Sequence, residues 1–203
     1  MSNQTTWTGK NSNIWTETAN WTKGIPSIGI HAHIPKMSGA AQYPNISKNL
    51  KVNFTLKNDG EIHIEAELFI QQNGIFQNYG IVKNCGTGNI VNEGNIMNFG
   101  EWINKGNCEN KRIFTNKHRL FNEGVLDNKN TFINLGSLVT VGVIENYNTI
   151  NNSGRLENLN ILNNHSSAQI IEEGFFPENF TADTVAINTT HKSNKATRLY
   201  VEK

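Results

Sequence analysis

The sequence predicts an all-β fold: a three-sided β-solenoid of about 18 residues per coil, with an N-terminal β cap and a strand-rich C-terminal tail. Three observations predict it. Asparagine recurs every six residues between Asn92 and Asn164. Apolar and small residues alternate with polar ones from Val52 onward, the period of a strand whose successive side chains leave opposite faces. No segment shows the sustained 3.6-residue apolar spacing of a helix. The chain divides into a cap over residues 1–50, a solenoid over 51–164 and a tail over 165–203.

The cap holds three of the four tryptophans, in Trp7-Thr8-Gly9, Trp15 and Asn20-Trp21-Thr22. Gly24-Ile25-Pro26 leads into Ile30-His31-Ala32-His33-Ile34-Pro35, an alternating strand. A solenoid end exposes unpaired strand edges and core, so a closing element is expected there.

The solenoid repeats the unit Asn-x-Gly-x-Φ-x, with Φ apolar. Asparagine stands at 92, 98, 104, 110, 116, 122, 128 and 134, and again at 146, 152, 158 and 164, with Thr140 in the gap. Glycine follows two residues later at 94, 100, 106, 124, 136, 142 and 154. The apolar position runs from Ile96, Trp102 and Cys108 to Ile150, Leu156 and Leu162. Even positions therefore point inward. Each residue type has a physical reason. The apolar residue fills the core. Glycine permits a positive φ or a close approach at a corner. Asparagine bonds turn backbone or ladders with its copy in the next coil. A buried amide without such a partner is costly.

The missing glycines set the coil length. At about 18 residues per coil, Gly94 lies in line with Arg112, Asn130 and Asn148, so the exceptions share one corner. Roughly six coils then make a rod about 30 Å long, at about 4.8 Å per coil. Asn84 and Asn92 are eight apart instead of six, which predicts a two-residue bulge near Thr87-Gly88.

Odd residues face outward. Glu109, Asp127 and Glu145 fall in one row beside Lys111 and Lys129, and Glu101, Arg119, Ser137 and Arg155 in another. A third group is apolar: Ile103, Phe121 and Val139; Val141 and Leu159; Val125, Val143 and Ile161. Apolar residues on neighbouring coils ask for a cover, supplied by the tail or by another subunit. Phe121, Val139, Val141, Val143, Leu159 and Ile161 are the candidate subunit contacts. The tail loses the hexad. Phe175-Phe176-Pro177, Phe180, Thr184-Val185-Ala186-Ile187 and Thr197-Arg198-Leu199-Tyr200-Val201 predict strands that pack on the rod or on a neighbouring subunit.

Thr6-Trp7-Thr8-Gly9, Trp15, Ala19-Asn20-Trp21, Gly24-Ile25-Pro26, His33-Ile34-Pro35 and Tyr43-Pro44 resemble an N-terminal module of large secreted or surface proteins of Bacteroidetes-type bacteria. There the module precedes β-solenoid repeats similar to these hexads. The resemblance implies a solenoid fold and an extracellular or cell-surface location. The chain ends without a recognisable sorting domain. Its first residues lack the basic-then-apolar pattern of a signal peptide.

Composition narrows the function. Asparagine supplies about 34 residues, while charged residues are 17% and the net charge is +1. A near-neutral chain lacks the basic surface that nucleic acid requires. No apolar run approaches the ~18 residues of a membrane span. Acyltransferase hexapeptides put glycine directly after the aliphatic residue, which this repeat does not do. Cys108 is inward and Cys85 outward, so no disulfide between them is expected. His31 and His33 share a strand face at a spacing that can bind metal, but no third ligand is evident; a polar strand face is expected. The carboxylate row could act as paired acids, but Lys111 and Lys129 make it a solvated charged corner. Trp7, Trp15 and Trp21 either close the cap or stack sugar rings.

The sequence thus predicts no catalytic or metal residues and no cofactor. Its expected role is that of a non-enzymatic, self-assembling subunit of an extracellular fibre or surface filament, joined through rod ends, terminal strands or the apolar face. The alternative is a carbohydrate-binding or adhesin module, or a glycan-cleaving β-helix enzyme, with a polysaccharide as partner.

Overall fold

A computed structural model describes residues 3–38 and 42–172 of the chain. Three parallel sheets form the three faces of a β-solenoid of about seven turns. The first face has nine strands, from Gln4–Thr6 to Gln169–Glu172. The second has seven, from Asn45–Ile46 to Arg155–Asn158, and the third seven, from Leu50–Val52 to Ile161–Asn164. A single 3₁₀ turn at Thr18–Asn20 is the only helical element among the described residues. The predicted tail strands between Phe175 and Val201 lie outside the described residues.

From Thr55 to Asn164 each coil contributes one four-residue strand to each face, and the second and fourth members are buried in all but Arg155–Asn158, where Leu156 is half-buried. The second position fills the core: Ile96, Phe114, Phe132 and Ile150 on the first face, Trp102, Leu120 and Leu138 on the second, Cys108, Leu126 and Ile144 on the third. The rings of Phe76, Trp102, Phe114 and Phe132 pack in succession along the axis, with centroids 5.0 to 5.5 Å apart.

The fourth position carries the asparagines, and here the ladder reading holds. On the first face each Nδ2 donates to the next Oδ1 through Asn58, Asn78, Asn98, Asn116, Asn134 and Asn152, at 2.6 to 2.9 Å. The second face runs Asn84, Asn104, Asn122, and the third Asn92, Asn110, Asn128, Asn146, Asn164. Nδ2 also donates to a carbonyl at the head of the following strand, as Asn116 does to Ser137 O at 3.0 Å. Donation always runs toward the C-terminal end. Below the first rungs lie Ile34, Ile64 and Ile70, in register with Asn58, Asn84 and Asn92.

In the solenoid, register steps of 18 residues dominate, with steps of 20 across one longer turn and of 22 between Glu67–Ile70 and Asn89–Asn92, which two longer turns separate. The expected bulge is a turn at 85–88, closed by Gly88 N–H to Cys85 O at 2.9 Å. The sequence reading missed two more of the same kind, at 71–74 and 165–168, closed by Gly74 N–H to Gln71 O and Ala168 N–H to His165 O. Beyond the second, Gln169–Glu172 pairs with Thr149–Asn152, so parallel stacking runs past residue 164. Glu172 stands in an asparagine's place and accepts from Asn152 Nδ2 at 2.6 Å.

The corner glycines need corrected reasoning. Among the described glycines positive φ occurs only at Gly9, Gly24 and Gly29, all in the cap. At the solenoid corners the demand is for space. A Cβ on Gly124 would lie 2.0 Å from Gly106 O in the coil below. In the longer turn at 85–88, Gly86 has nothing within 4 Å of where its Cβ would be.

The N-terminal end is closed. The indoles of Trp7, Trp15 and Trp21 are 1%, 3% and 5% exposed and pack on one another. Trp7 Nε1 donates to Gln42 O at 2.7 Å and Trp21 Nε1 to Trp15 O at 2.9 Å. Buried Asn20 ties down the loop before it, accepting from the N–H groups of Asn11 and Ser12 and donating to Ile14 O. The outer edge of Gln4–Thr6 is occupied as well. Thr6 N–H donates to Thr22 Oγ1 at 2.9 Å, and Thr22 N–H donates to Thr6 O at 3.0 Å. An edge so covered offers no template for a further strand.

The ladder and the corner each generate a test. Asn116→Leu strips partners from Asn98 Nδ2, Asn134 Oδ1 and Ser137 O, and should cost about 3 kcal/mol or more in denaturant unfolding. Thr140 accepts from Asn122 Nδ2 but leaves the buried Oδ1 of Asn158, its register partner above, without a bond. Thr140→Asn should complete the second ladder and stabilise the fold by about 1 kcal/mol. Gly124→Ala should destabilise by about 1–3 kcal/mol through overpacking, while Gly86→Ala stays near neutral in the same melt.

Candidate functional site

The outward rows fall where parity places them. Ile103, Phe121 and Val139 are mutual register partners on the second face, at the third strand position. Val125, Val143 and Ile161 are register partners on the third face, at the first position. Val141 and Leu159 occupy the corner between these faces. All six candidate contacts, Phe121, Val139, Val141, Val143, Leu159 and Ile161, thus lie along one edge of the rod on its later coils. Four of the large apolar side chains that are most exposed belong to this edge: Val125 at 36%, Val141 at 41%, Leu159 at 59% and Ile161 at 43%. In earlier coils the same corner carries the ion pair Lys105–Glu123 at 3.1 Å. The sequence reading found the members, and the corner joins them into one strip.

Charged rows flank the strip. On the second face Arg119 pairs with Glu101 at 3.1 Å, and Arg155 pairs with Glu157. On the third face Glu109, Asp127 and Glu145 stack in register. Lys129 bonds both Glu109 and Asp127, Lys111 bonds Glu109 at 2.9 Å, and Glu145 accepts from Asn163 and meets His165 at 2.8 Å. Burial pushes Glu109 up, but the bonds from Lys129 and Lys111 outweigh it and hold the group below the ordinary carboxylate value. Asp127 goes the other way. Its burial, reinforced by Glu109 and Glu145, outweighs Lys129 and raises it. Glu109 and Asp127 share Lys129, so the row is a partly buried ion network.

The other candidates resolve into structural roles. The tryptophans offered as sugar platforms are buried in one another, so they present no open ring face; this removes the carbohydrate alternative's stacking surface. His31 and His33 do not act together. His31 Nδ1 accepts from Thr55 N–H at 3.1 Å, and His33 pairs with Asp59 at 2.7 Å. Among the described residues no group of three or more His, Cys, Asp or Glu is placed to hold a metal ion. Cys108 is inward, its thiol pushed up to about 12 by burial, and Cys85 is half-buried; both are free.

Two features were not foreseen. Tyr79 and Phe99 stack at 4.6 Å on one corner, with Lys57 over the first ring and Lys117 over the second. Their spacing of 20 residues, two more than the common step, follows from the longer turn at 85–88 that lies between them. An open hollow of about 360 Å³ is lined by Asn13, Gln42, Tyr43, Asn45, His63 and Glu65 where the cap meets the rod. Its carboxylate accepts from Asn45 Nδ2 at 2.9 Å, and its histidine is held by Glu61. No described helix is long and apolar enough to cross a membrane. No protein-family model, curated protein or solved structure matches the chain.

The opposite shifts in the carboxylate row fix a pH test. Burial disfavours the charged form of Asp127, so Asp127→Asn should stabilise the fold at neutral pH. That advantage should fade as pH falls through the raised value and the native aspartate takes up its proton. Glu109 has the opposite sign: its depressed value contributes stability above the ordinary carboxylate range and loses it on acidification. Chemical unfolding of wild type, Asp127→Asn and Glu109→Gln across pH 3–7 should show the two variants diverging in opposite directions at neutral pH.

Proposed function

We propose that the chain is a non-enzymatic structural solenoid, a self-associating subunit of an extracellular fibre or surface filament, whose copies join side by side along the apolar edge. The observation that carries this is the strip itself: outward apolar side chains repeated coil after coil, where a solitary rod would place polar ones. Burying a Val or Leu side chain is worth about 1.5–3 kcal/mol, so a few such residues sustain association.

A second copy fits the strip better than an unrelated partner. Side chains on successive coils recur at about 4.8 Å, and a surface matching that spacing over several coils needs the same repeat. Lateral joining is also favoured over end-to-end stacking, because loop residues Thr22 to Gly24 occupy the edge of the N-terminal strand. The Trp-rich module and its likeness to those of exported bacterial solenoid proteins support a location outside the cell.

Light scattering and negative-stain microscopy over a concentration series test the reading: wild type should assemble as concentration rises. Val141→Glu and Leu159→Glu should each weaken assembly about tenfold or more, with unchanged melting of the fold. A strictly monomeric wild type at all concentrations would overturn it.

A further inference from the structure

We propose that Asn73 is the site of spontaneous deamidation in this chain. The hexad keeps glycine two residues after asparagine, so asparagine is almost never followed directly by glycine. Asn73-Gly74 is the single exception in the sequence. That dipeptide matters because the reaction begins when the backbone nitrogen of the following residue attacks the side-chain amide carbon. A side chain on that following residue obstructs the approach, and glycine has none.

The structure separates Asn73 from the other asparagines a second time. Ladder asparagines are buried, with Nδ2 donating to the next rung and to a carbonyl, as at Asn110. Their amides have no freedom to turn toward their own backbone. Asn73 is exposed, at the third position of the longer turn 71–74, and no hydrogen bond holds its side chain. The restraint on the attacking group is the bond from Gly74 N–H to Gln71 O at 2.7 Å, which opening of this exposed turn releases.

The chemistry balances without any cofactor. Gly74 N, losing its proton to solvent base, bonds to Asn73 Cγ, and ammonia leaves to give a cyclic imide. Water then opens the ring at either carbonyl, giving aspartate or isoaspartate. The isoaspartyl product lengthens the backbone by one carbon at a corner with no slack, since a Cβ on Gly74 would already lie 2.2 Å from Val52 O.

The test is to incubate the folded chain in neutral and mildly alkaline buffer and map its peptides by mass spectrometry. A parallel incubation in denaturant serves as reference. Conversion of amide to acid should concentrate in the peptide holding Asn73, rise with pH, and be missing from Asn73→Ser, an exposed change that leaves the fold intact. Conversion at another asparagine that equals or exceeds that at Asn73 would overturn the proposal. So would an unchanged Asn73 in the folded chain when the denatured chain converts there.

Discussion

The structure depends on the hydrogen bond between one asparagine side chain and the next. A primary amide carries two donors and an acceptor, and sinking it into a core is costly for each one left unused. Stacking identical coils supplies the partners by translation alone. One donor meets the next rung and the other meets a strand-head carbonyl. At ladder starts, Gly60 N–H and Gly94 N–H reach the acceptors of Asn58 and Asn92. Asn84 lacks this third bond, because the longer turn 85–88 follows it in place of the short glycine corner, and its Oδ1 is buried without a partner. The ladder therefore ties side-chain chemistry to coil geometry.

That tie explains the corners. Amide-to-amide contact at 2.6 to 2.9 Å requires adjacent coils to sit as close at their corners as along their faces. The backbone then turns directly over the carbonyl below, with no volume left for a side chain. Where a corner carries Arg112, Asn130 or Asn148 in place of glycine, the exceptions stack on one another and the corner is shared through the rod. The outward residues inherit the same registration. Any residue type repeated at a fixed point of the hexad becomes a row, and the row, whether apolar, acidic or aromatic, is the unit of which the surface is built.

Much of this was legible in the amino-acid order because parity survives every change of coil length. Inward and outward assignments held along the strands from Val52 to Asn164, though not at corner and turn residues such as Gln72, His118 and Asn130, which are exposed, and the ladders, core and surface rows followed from them. Coil length was legible from where glycine failed. The turns at 71–74 and 165–168 were not. Ile70 stands in an asparagine's place and hides the start of its eight-residue interval, and Glu172 likewise hides the end of the other. Glycine's role stayed ambiguous, since sequence cannot separate a positive φ from a lack of room. The direction in which Asp127 shifts was also out of reach. It depends first on how deeply its carboxylate is buried and then on how Lys129 divides itself between two carboxylates, both matters of side-chain placement.

Each of the three longer turns adds two residues to its coil, never one, so register steps of 18 become 20 or, where two such turns intervene, 22. A single added residue would turn every following side chain inside out, sending amides to solvent and charges to the axis. Two added residues leave each later rung in its seat. The rod can therefore vary its girth in pairs and keep its wiring, and a frame counted in twos is the inherited constraint on how such a chain grows or shrinks.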